Sequence, residues 1–276
     1  MKSTIIAMTH EAGSQGKEVA KQVAEKLGLD LACHRAFEQQ VADKLHADGG
    51  VVHRFLQGKP GLIERWKTDQ EALAAYTREQ VYELAVGGGV LICGWGATCL
   101  LRPIAHALCV RVCAPVAHRT AVLMEQLAIG EDEARAMIAA NDAARAVMMR
   151  ALGQADGDPA FVYDLVLNSS RVPVAQCVAE VVRLAGEPAF RESAKSRERL
   201  AALYREAQVR AALRADFATR RVGAWVRVVA DPAGRSVALE GAVQTQDQRR
   251  DTERVVAGLP WVARVENRLR VVGLST

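Results

Sequence analysis

Residues 9–27 read THEAGSQGKEVAKQVAEKL, and this stretch decides the fold of the N-terminal part of the chain. A short apolar run, TIIAM at 4–8, comes before it, and apolar residues then recur at helical spacing until Gly28. The segment GSQGK at 13–17 therefore stands between a buried strand and an amphipathic helix. A loop in that setting can bind phosphate, because its backbone N–H groups and the helix N-terminus point at the anion.

The loop differs from the usual phosphate-loop pattern, G-x-x-x-x-G-K-[ST], at two places. Glu11 stands where the pattern has its first glycine, and Glu18 stands where it has a hydroxyl. Two interpretations remain open: a glycine-containing turn between strand and helix, or a phosphate loop in which Lys17 neutralises phosphate oxygens. We predict the second, and the candidate nucleotide-binding residues are Gly13, Ser14, Gln15, Gly16, Lys17 and Glu18.

Further apolar runs alternate with helical patterns down to Gly186. The predicted strands after the first are VLIC at 90–93, ALCVRVCAP at 107–115 and part of YDLVLNSSR at 163–171. Helices are predicted at 36–47, at 62–86, as a pair joined near Gly130, and in PVAQCVAEVVRLAG with Pro173 in its first turn. Strands separated by helices predict an α/β fold with a parallel sheet that is covered on both faces.

The character of the chain changes after Gly186. A charged helical stretch is followed by the strand patterns AWVRVVA and SVALEGAVQ, a turn at 231–234 between them, a helix at 246–257 and a last strand pattern, WVARVENRLRVV. This order predicts a second, small α/β module of about 70 residues, within the usual range of domain sizes. We expect one domain at 1–190 and another at 200–276.

Composition narrows the class of protein without naming a function. Half of the 276 residues are apolar and a quarter are charged, as in ordinary globular proteins, and the net charge of +4 argues neither for nor against nucleic acid. The six cysteines form no C-x-x-C pair and no zinc spacing with histidine, so we predict no metal site and a reducing compartment. No apolar run is long enough for a signal peptide or a membrane span, and a cytoplasmic location is expected.

The loop region resembles the start of the cytidylate kinase-like family, a branch of the P-loop nucleoside monophosphate kinases. Members typically read [ST]-R-E-x-G-S-G-G-[RK]-x-[IV]-A there, so a glutamate at the first glycine position is normal for the branch. Further segments match the family in order: VLICGWGA, VRVCAPVAHR, NDAARAVMMR and YDLVLNSSR. The resemblance covers roughly residues 3–186, and the ordered set is much more specific than any single piece.

The resemblance implies transfer of the γ-phosphate of ATP, with Mg²⁺, to a nucleoside monophosphate such as CMP. The catalytic residues would be Lys17 and two lid arginines, Arg145 and Arg150. Because these arginines are five residues apart on one predicted helix, they cannot point the same way, and one of them is expected to be structural. The acceptor nucleotide would be bound by Arg35, Gly94, Trp95 and Gly96.

Several departures from the family pattern favour a second hypothesis. Trp95 replaces an arginine that contacts the acceptor in related kinases, His34 replaces an acidic residue, and Gln15 replaces a glycine. No aspartate closes an apolar strand to hold Mg²⁺ through water, which leaves Glu11 and Asp164 as the nearest candidates. The alternative is a nucleotide-binding sensor or scaffold with little or no turnover.

The C-terminal module resembles the BON domain family. The resemblance rests on VALEGAV, with its Gly241, and on LPWVARVENRLRV, in which Pro260 and Trp261 replace the usual Gly-Val. It implies a non-catalytic module that binds a lipid or protein ligand. We expect no nucleic-acid partner.

Overall fold

The structure is a computed structural model that describes residues 3–32, 70–94, 96–152, 160–222, 226–231 and 235–273. The chain divides into two compact units. The first contains the described residues up to Ala74 and those from Gly87 to Ser193, and the second contains Ala75–Val86 and the described residues from Ala194 onward. Among the described residues, no helix combines the length and the apolar character needed to cross a membrane.

The first unit is built on a parallel sheet, as predicted, and this sheet has five strands where the sequence predicted four. The strands are β1 (Ile5–His10), β2 (Asp30–Ala32), β3 (Val90–Cys93), β4 (Ala107–Cys113) and β5 (Leu165–Asn168), in the order β2-β3-β1-β4-β5. The central strand β1 pairs with β3 on one side and with β4 on the other. Its carboxyl end therefore lies where the strand order reverses, which is where ligands bind in open α/β sheets.

Helices connect these strands. They are α1 (Gly16–Leu27), α2 (Gln70–Gly87), α3 (Ala97–Leu101), α4 (Val116–Leu127), α5 (Glu131–Ala151) and α6 (Val174–Ala185). The predicted pair of helices near Gly130 is confirmed, and Pro173 is the N-cap of α6 rather than part of its first turn. Neither β2 nor α3 was predicted from the sequence. The helix predicted at 36–47, and the 62–69 part of the next one, lie outside the described residues.

A buried hydrophobic core holds the end of β1 in place. It contains Ile6 and Met8 of β1, Val19 and Val23 of α1, and Val178 of α6, and each of these side chains is fully buried. Burying such a side chain stabilises a fold by about 1.5–3 kcal/mol relative to leaving it exposed. The strand that leads into the loop at 11–15, and the helix that follows it, are therefore rigid supports.

The second unit has a sheet of three strands. Its elements after α2 are α7 (Ala194–Ala215), β6 (Val226–Ala230), β7 (Ser236–Val243), α8 (Gln246–Ala257) and β8 (Arg264–Val271). The turn predicted at 231–234 falls on residues of which only Asp231 is described. Strands β6 and β7 are antiparallel, whereas β7 and β8 are parallel because α8 crosses between them. A capping box of Thr245 and Gln248 begins α8.

Residues 75–86 of α2 belong to this second unit, which the sequence analysis did not foresee. Tyr76, Val81 and Tyr82 of this segment are buried. Tyr82 lies among charged groups of α7, Arg199 and Glu206, and burial is the main cause that raises the pKa of its phenol to about 12. The second unit therefore includes a helix that precedes it by more than a hundred residues in the chain.

Candidate functional site

The loop at 11–15 leaves the carboxyl end of β1 and leads directly into α1. Gly13 has φ +79° and Gln15 has φ +56°, both in the left-handed region that favours glycine. A Cβ on Gly13 would come within 2.4 Å of the carbonyl oxygen of Arg119, and a Cβ on Gly16 within 2.3 Å of the Cβ of His10. The two glycines are thus required by close packing of the loop against α4 and β1.

This loop leads into the N-terminus of α1, where the N–H groups of Glu18 and Val19 both donate to the carbonyl of Gln15 at 3.1 Å. The N–H groups that come before these have no acceptor within their own helix, which is true of every helix start. Lys17 and Glu18 of this first turn are exposed, and Gln22 donates a hydrogen bond to Glu18 at 2.7 Å. Ser14 is buried, and its hydroxyl donates to the carbonyl of Glu11 at 2.8 Å, so it braces the loop from inside.

A buried carboxylate, Glu11, joins three arginines at the base of the loop. Its Oε1 accepts a hydrogen bond from Nη2 of Arg111 at 2.7 Å and lies 3.8 Å from Nη2 of Arg145. Its Oε2 accepts from the backbone N–H of Ala114 at 3.2 Å and lies 3.5 Å from Nε of Arg119. The Glu11 side chain is only 10 % exposed, so these cations stabilise a charge that water scarcely reaches.

Arg119 is held from its other side by Asp142 of α5. Its Nη1 and Nη2 donate to the two carboxylate oxygens of Asp142 at 3.2 and 2.9 Å, which is the two-pronged geometry that suits a guanidinium. The Arg119 side chain is 5 % exposed. Residues from β1, β4, α4 and α5 therefore meet at one end of the sheet, and the three arginines and two carboxylates leave one net positive charge.

The pKa of Cys113, the last residue of β4, is affected by the charges of this cluster. Burial raises the pKa of its thiol, Glu11 raises it further, and Arg111, Arg145 and Arg119 oppose the shift. Because the raising causes prevail, the thiol stays protonated above its usual pH range and is a poor nucleophile. Cys113 is therefore no candidate for covalent catalysis.

Comparison with models of known protein families shows which family this chain belongs to. The model of the cytidylate kinase-like family matches residues 5–171, which is more than half of the chain. This chain belongs to the cytidylate kinase-like family. The BON domain model matches residues 204–273, in the predicted order, and no curated protein matches the chain.

A solved structure supports the fold of the cytidylate kinase-like part. It is a crystal structure of an uncharacterized protein from Eubacterium ventriosum ATCC 27560, with a TM-score of 0.50 and 19 % sequence identity. The match covers 66 % of this chain and 98 % of that one. At this identity the likeness shows the fold alone.

The structure brings some of the predicted site residues of the cytidylate kinase-like domain together. The loop residues from Gly13 to Glu18 lie between β1 and α1, and Arg145 of α5 reaches the base of that loop through Glu11. Arg150 lies further along α5 and is exposed. The two arginines thus differ in surroundings, as their spacing on one helix predicted.

The structure describes two of the four residues that were predicted to bind the acceptor nucleotide. Arg35 and Trp95 lie outside the described residues. Gly94 and Gly96 follow β3 with φ of +82° and +66°, and the N–H of Gly94 donates to the carbonyl of Met8 at 2.9 Å. A Cβ on Gly96 would come within 2.1 Å of Leu152. These glycines lie at the carboxyl edge of the sheet, beside the end of β1.

Sequence reasoning assigned no role to Arg111 or Arg119, although both surround the loop of the cytidylate kinase-like domain. Arg111 is the only charged residue in the apolar strand ALCVRVC, and that anomaly was a signal that could have been followed. Arg119 lies on a helix whose pattern does not show which arginine turns inward. Its burial depends on Asp142, a partner 23 residues further on.

Mg²⁺, which kinases of this kind use, finds no suitable ligand in the two carboxylates that the sequence suggested. Glu11 is already bound to arginines, which repel a cation. Asp164 accepts the backbone N–H of Cys109 at 2.7 Å and so caps the start of the β4–β5 pairing. No group of three or more His, Cys, Asp or Glu residues suited to a metal occurs within the described ranges.

Proposed function

We propose that the protein transfers the γ-phosphate of ATP to a nucleoside monophosphate, CMP or a related pyrimidine nucleotide. Membership of the cytidylate kinase-like family supports a kinase-like role on nucleotides. The observation that carries the proposal is the loop at the carboxyl end of β1, which leads into the first turn of α1 with its exposed Lys17 and whose first residue, Glu11, is paired with a group of arginines. Anionic phosphates are the ligands that such an edge attracts.

In phosphoryl transfer the protein mainly positions the reactants and neutralises developing charge. In this proposal the N–H groups of the loop and Lys17 hold the donor phosphates. Arg145, next to the loop, faces the phosphoryl group in transfer, and Arg150 is the second lid arginine. Arg35, Gly94, Trp95 and Gly96 take the acceptor nucleotide.

ATP is proposed as the donor with Mg²⁺ as its accompanying cation. Kinase-like family membership supports nucleotide and metal use. Since Glu11 and Asp164 are engaged elsewhere, we assign the cation no protein ligand and derive no step from it. The proposal rests on the arginines, Lys17 and the backbone N–H groups.

The second candidate function is a nucleotide-binding sensor or scaffold with little turnover. It is favoured by one observation: Glu11 engages three arginines that a transferring phosphoryl group would need. A sensor binds ATP but transfers no phosphate, whereas the kinase does both. The same loop serves either function.

The C-terminal BON domain is proposed to bind a lipid or protein ligand rather than nucleic acid. From Ala194 to Thr276 the chain carries 16 Lys and Arg residues against 9 Asp and Glu, and the rest of the chain carries 20 against 23. The basic module therefore favours an anionic ligand. We propose a cytoplasmic protein whose kinase-like domain, at 1–190, is coupled to this module, at 200–276.

A coupled assay with ATP and a panel of nucleoside monophosphates tests the proposal. We expect turnover with a pyrimidine monophosphate, an ordinary KM for ATP and a high KM for the acceptor. The reason is that Trp95 lacks the charged hydrogen bond of the family arginine, which is worth roughly ten- to a hundredfold in affinity. ATP binding without transfer to any monophosphate would establish the sensor instead.

A further inference from the structure

Glu11 stands where the usual phosphate loop has its first glycine. We propose that Glu11 is a built-in occupant of an anion clamp formed by Arg111, Arg119 and Arg145, and that a phosphoryl group of the bound nucleotide takes over these arginines. Glu11 is then a positioning residue, and it competes with the nucleotide. This inference rests on the proposed binding of nucleotide phosphate at the loop.

The geometry supports a clamp because the cations come from separate elements and converge on one small anion. Arg111 is on β4, Arg119 on α4 and Arg145 on α5. A single carboxylate within 2.7 to 3.8 Å of all three is bound by more positive charge than it needs. A phosphate can accept the same paired hydrogen bonds from guanidinium groups as a carboxylate does. Because it has more oxygens and more negative charge, it suits three arginines better than one carboxylate does.

Arg119 gives independent support. Its side chain is 95 % buried, yet its Nε makes no hydrogen bond: it lies 3.5 Å from Glu11, close enough for an ion pair but outside hydrogen-bond geometry. A buried N–H donor that lacks an acceptor is costly. The unmet donor faces the same carboxylate as the other two arginines, and an added anion oxygen there would satisfy it.

The clamp lies directly against the loop. A Cβ on Gly13 would meet the backbone of Arg119 at 2.4 to 2.9 Å, so the first part of α4 packs on the loop itself. Glu11 is at the same time the first residue of that loop and the centre of the arginine cluster. A phosphate bound by the first turn of α1 would therefore lie on the same side of the sheet as these arginines.

Asp142 keeps the clamp assembled during such an exchange. It holds Nη1 and Nη2 of Arg119 through two hydrogen bonds that do not involve Glu11. Asp142 therefore holds Nη1 and Nη2 of Arg119 in place while the anion next to its Nε changes from Glu11 to phosphate. The ion pairs with Glu11 determine how much negative charge a phosphate must carry to replace Glu11 as the partner of the arginines.

The test compares the affinities of native protein, Glu11→Gln and Arg119→Lys for ATP and for inorganic tripolyphosphate, by calorimetry. Glutamine keeps an acceptor for the N–H of Ala114 but removes the competing charge. We expect Glu11→Gln to bind both probes about five- to tenfold more tightly, and Arg119→Lys about tenfold more weakly, as expected for one charge-assisted contact. Adding Arg111→Met to Glu11→Gln should reduce the gain.

If Glu11 only stabilised the fold, Glu11→Gln would not increase the affinity for either probe. Equal or weaker binding by folded Glu11→Gln, together with unchanged binding by Arg119→Lys, would overturn the clamp while leaving Lys17-dependent ATP binding, and so the proposed function, intact. Native protein that binds neither probe would overturn both. If Glu11→Gln unfolds from repulsion among the arginines, Arg119→Lys decides at a temperature at which it is folded: a tenfold loss of affinity supports the clamp, and no loss overturns it.

Discussion

At the scale of single residues, the site is a balance of charges around one carboxylate. Lys17 is exposed on the first turn of α1, whereas Arg119 is buried and tied to Asp142. An exposed lysine contributes little to folding, so its substitution reports on ligand binding. A buried arginine contributes to both, so its substitutions need a stability measurement beside the binding measurement.

Lys17→Ala is expected to weaken ATP binding by about tenfold or more, since a charged hydrogen bond to phosphate is lost. Its fold should remain unaffected because the side chain is exposed. The matched control is Lys21→Ala, one turn further along α1 and also exposed. Calorimetry should separate the two variants, and equal ATP affinities for native protein and Lys17→Ala would remove the loop from the account.

Arg119→Met is expected to lower the free energy of unfolding by about 3 kcal/mol, because Glu11 and Asp142 lose a buried partner. Arg135→Met is the control, since Arg135 pairs with Glu131 on the exposed surface of the same α4–α5 helix pair. Its effect should stay below about 1 kcal/mol. Urea unfolding measures both, and similar values for the two would show that the Arg119 network does not stabilise the domain.

Glu11→Gln is expected to lower the pKa of Cys113. In native protein burial and Glu11 raise that pKa while the three arginines lower it, so removing the carboxylate removes one of the two causes that raise it. At a given pH more of the thiol is then thiolate, and alkylation, followed by mass spectrometry across pH, begins at a lower pH. Cys177, whose pKa is raised mainly by burial, is the internal reference. An unchanged or higher onset for Cys113 would contradict the charge balance.

At the scale of elements, the strand-to-helix junction at β1 and α1 could be predicted, and its surroundings could not. The apolar run before the loop and the helical spacing after it specify both elements, and Gly28 ends α1 with φ +62°. The three-residue strand β2 is exposed or half-buried and carries no apolar pattern, so no sequence rule marks it. The arginine cluster depends on pairings that range from 23 residues apart, between Arg119 and Asp142, to 134 residues apart, between Glu11 and Arg145, and local patterns do not encode them.

Gly16→Ala is expected to destabilise the junction by about 2 kcal/mol, because its Cβ would overlap His10 and press on Val112. Gly130→Ala is the control: Gly130 is the N-cap of α5 at φ −73°, with no atom near the added Cβ, and its substitution should cost about 1 kcal/mol or less. Thermal unfolding compares the pair. Equal Tm values would mean that the loop is free to move away from β1.

At the scale of the whole molecule, the order of the two modules could be predicted from the sequence. That residues 75–86 of α2 belong to the second unit could not. The composition shift after Gly186 indicates the C-terminal unit, but the pattern of 62–86 shows only a helix and not its neighbours. In the structure, Glu79 and Glu83 of this helix lie near Tyr204 of α7, and Arg78 lies near Arg210. Partners so far apart in the chain become visible only in three dimensions.

The piece from Ala194 to Thr276 is expected to unfold cooperatively, with a higher Tm when a peptide of residues 75–86 is added. The peptide would cover the surface that Tyr76, Val81 and Tyr82 bury in the full chain. Circular dichroism during heating measures both states, with a scrambled peptide as control. A non-cooperative transition in both states would show that the unit does not fold by itself.

The central claim is phosphoryl transfer at the loop, and one measurement tests it most directly: the transfer of phosphate from radiolabelled ATP to CMP by native protein and by Lys17→Ala. The account predicts labelled CDP from the native protein and at least a tenfold lower rate from the variant. No labelled product from native protein that binds ATP, with CMP or any other nucleoside monophosphate, would contradict it. So would equal rates for the two proteins.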